Sequence, residues 1–166
     1  MPHYQHEAAL GTLNVRTLKF PIKLHEIAVE ASNNGLAEFA VQEHHLIGSG
    51  EIDLGENGSV KGWHFCYSGF AKSYGGVGLL YDSTKVKVVD EQAPIPGRLQ
   101  IFRLKLLGLK VLWPIAYSPT DAQADSTKLK FYHDMRKVIK KAKAERYVWA
   151  PADGLWPAYQ LSQLGC

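Results

Sequence analysis

The first forty-five positions of the chain carry apolar residues in three successive periods. From Ala8 onward, Ala9, Gly11, Leu13 and Val15 fall on one parity and Leu10, Thr12 and Asn14 on the other, which predicts a strand buried on both faces near its end. Asn14 is the polar residue of that run, and asparagine is poor in strand interiors, so its place there calls for a reason. Pro21 suits the first position of a helix, and Leu24, Ile27, Ala28 and Ala31 follow at helical spacing until Asn33-Asn34-Gly35 supplies a stop. Leu36 to Gln42, around Phe39-Ala40-Val41, predicts a second buried strand that runs into Glu43-His44-His45. Strand, helix and strand make a βαβ unit, and parallel neighbours would bring Asn14 and Glu43 to the same edge of a sheet. α/β folds place their chemistry at such strand ends. A carboxylate there stays ionised only when a cation or hydrogen-bond donors answer it.

The pattern then weakens. Ile47 to Gly62 is rich in glycine and acidic residues, lacks a period and reads as mostly loop. Alternating runs follow at Trp63 to Tyr67, Gly76 to Tyr81, Val86 to Glu91, Leu99 to Leu106 and Leu109 to Tyr117, which predict an antiparallel meander through the middle third. Its clearest hairpin is the last pair, with Gly108 in the turn. A second helix is expected to cap and begin near Asp125-Ser126, with Phe131, Tyr132, Met135, Val138, Ile139 and Ala142 as its buried stripe. A last strand runs from about Tyr147 to Ala150. Residues 1–7 lack periodicity and read as a flexible terminus, and His3 and His6 without cysteine partners read as a solvated tail.

Length and composition narrow the class. A chain of 166 residues fits one domain, and 46% hydrophobic with 21% charged residues is ordinary for a globular protein. Neither an apolar span of about 20 residues nor a charged leader is present, so the expected location is intracellular, nuclear or cytoplasmic. Cys66 and Cys166 lack metal-ligand spacing and are expected as reduced thiols. Net charge is +3, but Lys128 to Arg146 holds eight Lys/Arg against Asp134 and Glu145. That run fits a solvated helix face or a phosphate-binding surface.

Asn14, Glu43 and Asp153 are then oxygen-bearing side chains at the ends of three apolar strands. Such groups suit a hard cation, Mg²⁺ or Mn²⁺, which takes one or two carboxylates plus waters and a phosphate oxygen. Tyr117 ends another strand just before Ser118-Pro119-Thr120, where its phenol can hydrogen-bond a phosphoryl group, and Arg98 can assist with charge.

Thr12-Leu13-Asn14-Val15-Arg16-Thr17-Leu18, Val41-Gln42-Glu43-His44, Tyr67-Ser68-Gly69 with Gly75-Gly76-Val77-Gly78, and Tyr117-Ser118-Pro119-Thr120 occur in the order and spacing of one known group. They resemble the endonuclease/exonuclease/phosphatase superfamily, most closely the endonuclease domains of non-LTR retrotransposons and their craniofacial-development-protein-like relatives. The resemblance implies a two-sheet α/β sandwich and Mg²⁺-dependent phosphodiester cleavage of DNA by an activated water. It implies Asn14 as the active-site asparagine, Glu43 as the metal-binding glutamate, Tyr117 as the active-site tyrosine, Thr120 as a phosphate contact and Arg98 as the arginine before the central strand.

The resemblance also marks departures. Where the superfamily has Gly-Asp-Phe-Asn, this chain reads Ala152-Asp153-Gly154-Leu155, so Asp153 matches and Leu155 replaces the asparagine. The superfamily's terminal Ser-Asp-His signature has no counterpart, and an ordinary polar role is expected for His44 and His45. The expected organisation is therefore the N-terminal part of such a domain over 8–150 and a divergent tail over 151–166. Each missing general base or transition-state donor costs about a hundred- to a thousandfold in rate, so weak or no activity is expected of the chain alone. Two alternatives stand beside it: a non-catalytic remnant binding nucleic acid or protein through the basic helix, and a phosphatase or phospholipid phosphodiesterase of the same superfamily.

Overall fold

A computed structural model describes residues 9–55, 60–145 and 147–149. Two sheets pack face to face. The first has the order β1 (Ala9–Asn14), β2 (Leu36–Gln42), β5 (Val77–Asp82), β4 (Trp63–Ser68), β3 (Ser49–Asp53), and the second β6 (Val86–Ile95), β7 (Leu99–Leu106), β8 (Leu109–Ala116), β9 (Val148–Trp149). The βαβ unit is present as β1 (Ala9–Asn14), α1 (Pro21–Asn33) and β2 (Leu36–Gln42), with Pro21 opening the helix. Leu24, Ala28 and Ala31 bury their side of α1 against Val41, Phe65 and Leu80 of the sheet. Beyond the last turn, Gly35 takes φ 69°, the left-handed conformation that glycine adopts without a Cβ clash. β1 and β2 are parallel and in register from Leu10 opposite Glu38 to Asn14 opposite Gln42, so both end at one edge.

Several elements differ from the sequence reading. β1 is not buried on both faces: it is the outer strand of its sheet, and Thr12, Leu13 and Asn14 are exposed. Among the described residues nothing pairs with its second edge, and a strand needs cover on both flanks for full burial. Residues 49–53, expected as loop, form β3 (Ser49–Asp53), paired antiparallel to β4 (Trp63–Ser68). β3 is an outer, largely solvated strand, so its sequence had no apolar alternation to display. The meander is also divided. β4 and β5 (Val77–Asp82) belong to the first sheet, while β6 (Val86–Ile95), β7 (Leu99–Leu106) and β8 (Leu109–Ala116) form the second. The chain changes sheet at Ser83-Thr84, where Asp82 Oδ1 accepts from the Thr84 N–H at 2.9 Å and its hydroxyl at 2.6 Å.

The interior between the sheets is built from Cys66, Val77 and Leu79 on one side and Phe102, Leu104, Trp113 and Ile115 on the other. α2 (Asp125–Ala144) covers the outer face of the second sheet, with Phe131 against Leu99, Ile101 and Leu112. It begins at Asp125, as expected, but follows Ala124 with no side-chain cap. Tyr132 leaves the predicted stripe and is 51% exposed, because it stands one helical step from the Phe131-Met135-Val138 line. The side chains of Ile139 and Ala142 lie outside the described residues. β9 (Val148–Trp149) closes the sheet parallel to β8. No helix among the described residues is long and apolar enough to cross a membrane.

Candidate active site

Asn14 and Glu43 come together because two parallel strands end side by side. Glu43 follows β2 directly, one residue beyond the pair formed by Asn14 and Gln42. Glu43 and His45 both hold left-handed backbone, at φ 57° and 61°, which costs a non-glycine residue about 1 kcal/mol or more. Hydrogen bonds hold it there. The Glu43 N–H donates to Gly76 O and the His45 N–H to Gly75 O, both at 2.8 Å, and the Leu18 N–H donates to His44 O at 2.8 Å. Asn14 is exposed, and its Oδ1 accepts the Arg16 N–H at 3.1 Å.

His44 points the other way, fully buried. Its Nε2 stands 3.1 Å from Ser68 O and 3.2 Å from Val77 O, and its Nδ1 accepts the Leu46 N–H at 2.9 Å. That assigns the proton to Nε2. Burial drives its pKa down to about 4, with the two carbonyls opposing and His45 adding to the shift. A neutral ring bonded on both nitrogens is a structural group, in keeping with the ordinary polar role read from sequence. Gly76 makes room for it: at φ 99°, a Cβ there would stand 2.3 Å from the imidazole.

Tyr117 arrives from the second sheet. Its backbone N–H donates to Arg98 O at 2.8 Å, and Arg98 returns an Nη1 hydrogen bond to Tyr117 O at 3.2 Å. Burial, then the Glu43 charge and hydrogen bonding to Glu43, hold the Tyr117 phenol above its usual pKa, with Arg98 opposing. The phenol and the Glu43 carboxylate therefore face one another across the sheet ends. Arg98 is not open to solvent. It is 6% exposed, donates Nη2 to Gln123 Oε1 at 2.9 Å, and lies 5.4 Å from the Phe70 ring centroid and 5.5 Å from that of Tyr117. Thr120 is exposed three residues past Tyr117, and Asp153 lies outside the described residues.

Thus Asn14, Glu43, Tyr117 and Arg98 share one end of the sandwich. The scaffold behind them was not singled out from sequence: Phe70, which packs under Arg98 and fills the space where Gly97 lacks a side chain, and Gln123. The Gly75-Gly76 pair was the available signal, since two adjacent glycines both take positive φ there.

Neither a protein-family model nor a curated protein matches the chain. Solved structures do. The chain is similar to the 3′ phosphatase NExo from Neisseria bound to a product DNA hairpin, at 16% identity and TM-score 0.58, over 87% of this chain and 56% of that one. It is similar to humanized D. rerio TDP2 at 14% identity and TM-score 0.58, over 87% and 60%. A mannosyl-6-phosphatase from Bacteroides thetaiotaomicron aligns at 13% identity and TM-score 0.61, over 87% and 63%. A further Bacteroides thetaiotaomicron protein, described as of the endonuclease/exonuclease/phosphatase family, aligns at 13% identity and TM-score 0.60, over 87% and 62%. The chain carries the fold of the endonuclease/exonuclease/phosphatase proteins and spans 56% to 63% of the length of these structures.

Proposed function

We propose that the chain is the N-terminal part of a divalent-metal-dependent phosphodiester hydrolase of the DNA endonuclease type, derived from a retroelement and slow in isolation. The observation that carries this reading is the convergence of Glu43, on its left-handed turn, with the end of β1 at Asn14 and the phenol of Tyr117. The donor set fits the ion expected. An amide oxygen and one carboxylate are hard ligands that suit Mg²⁺ or Mn²⁺ completed by water. Among the described residues no three His, Cys, Asp or Glu side chains converge, so the set does not suit a zinc cage. When bound, such an ion supplies charge stabilisation to a phosphoryl oxygen.

The chain's own groups supply the rest. Glu43 and Asn14 would hold the ion on backbone that is already fixed by hydrogen bonds. Tyr117, with its pKa raised, stays a neutral donor at physiological pH and is placed to hydrogen-bond a phosphoryl oxygen. Arg98 positions Tyr117 from behind through its carbonyl and ring. Thr120 contacts the substrate phosphate, and Asp153 orients the attacking water. Leu155 stands where a second water-orienting amide is expected, and loss of such a donor slows the step about a hundred- to a thousandfold.

Nicking of supercoiled plasmid, with MgCl₂ and with EDTA, tests the proposal. Slow Mg²⁺-dependent nicking that Glu43→Ala abolishes is expected. Equal signals from parent and variant, including none from either, overturn it. Faster release of phosphate from 3′-phosphorylated DNA or inositol phosphates would move the assignment to a phosphatase of the same fold.

A further inference from the structure

We propose that the groove between α2 and the outer face of the second sheet is a docking site for an acidic peptide with one aliphatic anchor side chain. The groove encloses about 360 Å³ and shares no residue with the Glu43 edge. That size accommodates a large side chain and its flanking backbone. Its floor is aliphatic, formed by Ile101 of β7, Leu112 of β8 and Val138 of α2. Its rim is cationic: Lys130, Lys137 and Lys141 step along one side of α2, spanning about 16 Å at 1.5 Å per residue.

The chemistry of the occupant follows from charge and from what the floor lacks. Asp134 is the one acidic residue among the described lining residues, and Lys130 takes it at 2.9 Å. Arg103, also in the lining, is already held by Asp90 at 2.7 Å and Glu145 at 3.3 Å. Lys141 reaches Glu145 only at 3.7 Å, and Lys137 shares the charge of Asp134 with Lys130 without a direct ion pair among the described residues. Carboxylates arriving over the groove would therefore meet Lys137 and Lys141 with little to displace. None of the described lining residues is aromatic, so a nucleobase finds no ring to stack on among them. A leucine-sized side chain finds three aliphatic walls. A single-stranded nucleic acid would satisfy the rim alone, while an acidic peptide with an aliphatic residue satisfies rim and floor together.

Fluorescence polarisation with the full chain tests the site. The probes are a labelled ten-residue peptide of Asp and Glu around a central leucine, the same peptide with serine for the leucine, and a labelled ten-nucleotide single-stranded DNA. The leucine peptide is expected to bind. Serine in place of leucine should weaken it at least tenfold, and Lys137→Glu with Lys141→Glu should do the same. Lys110→Glu, exposed on β8 outside the groove, should leave binding unchanged. The charge changes are on solvated side chains, and circular dichroism verifies that the double variant remains folded. No binding of the leucine peptide, equal binding of the serine peptide, or tighter binding of the DNA would each overturn the proposal.

Discussion

Replacing Glu38 by leucine is expected to stabilise the protein by an amount that grows with pH. Glu38 lies on β2, opposite Leu10 of β1 and Tyr81 of β5, and is 0% exposed. Neither carboxyl oxygen has a hydrogen-bond partner among the described residues. Burial pushes its pKa from the ordinary 4.5 up to about 8. The folded chain therefore holds a proton that the unfolded chain has released between those values. For a raised pKa, the contribution to stability is fully present below pH 4.5, falls by about 1.4 kcal/mol per pH unit, and is lost above pH 8. The total is on the order of 5 kcal/mol, of which on the order of 3 kcal/mol has been lost by pH 7. Leucine has no proton to bind and fills nearly the same space.

The assay is urea unfolding at pH 5 to 9, followed by the fluorescence of Trp63 and Trp113, which are 1% and 3% exposed. His44 adds a second slope at the acid end of this range. Its folded pKa is lowered from 6.5 to about 4, so its contribution is present above pH 6.5 and lost as pH falls toward 4. In the parent the two slopes oppose one another between pH 4.5 and 6.5, and from 6.5 to 8 the Glu38 slope no longer meets that of His44. The difference between parent and Glu38→Leu isolates Glu38. It should widen by on the order of 4 kcal/mol from pH 5 to 8. A difference that stays constant across this range would refute the reasoning, and Glu38→Gln, which also lacks the proton, should give the same flattening.

Two further perturbations bear on the site. Gly76→Ala places a methyl group 2.3 Å from the His44 ring at φ 99°, and a loss on the order of 3 kcal/mol is expected in the urea midpoint; an unchanged midpoint would remove the tight turn from the account. Glu43→Gln removes the negative charge facing Tyr117, so one tyrosine should titrate at lower pH by tyrosinate absorbance, with burial still holding it above the ordinary value. Superimposable titrations of parent and variant would separate Tyr117 from Glu43.

The βαβ unit, the β7–β8 hairpin and α2 were legible because each displays its burial in a local period. Leu24, Ala28 and Ala31 repeat at helical spacing, and β7 and β8 are long, largely buried runs on either side of the Gly108 turn. Asn14 and Glu43 could be paired from sequence since a parallel βαβ unit returns its strands to the same edge. β3 was hidden because its register is dictated by Cys66 and Phe65 across the ladder and not by its own apolar residues.

By itself, then, the sequence determined the elements with strong periodicity and the edge on which the candidate chemistry stands. The tertiary structure decided the rest: which sheet each middle strand joins, that β1 is an outer strand, and that His44 turns into the core. It also decided that Tyr117, more than seventy residues along the chain, faces Glu43. Periodicity records only whether a side chain is buried. Which groups meet across two sheets is set by the packing of both, and by hydrogen bonds such as those from Glu43 and His45 to the Gly75-Gly76 pair, which no local pattern encodes.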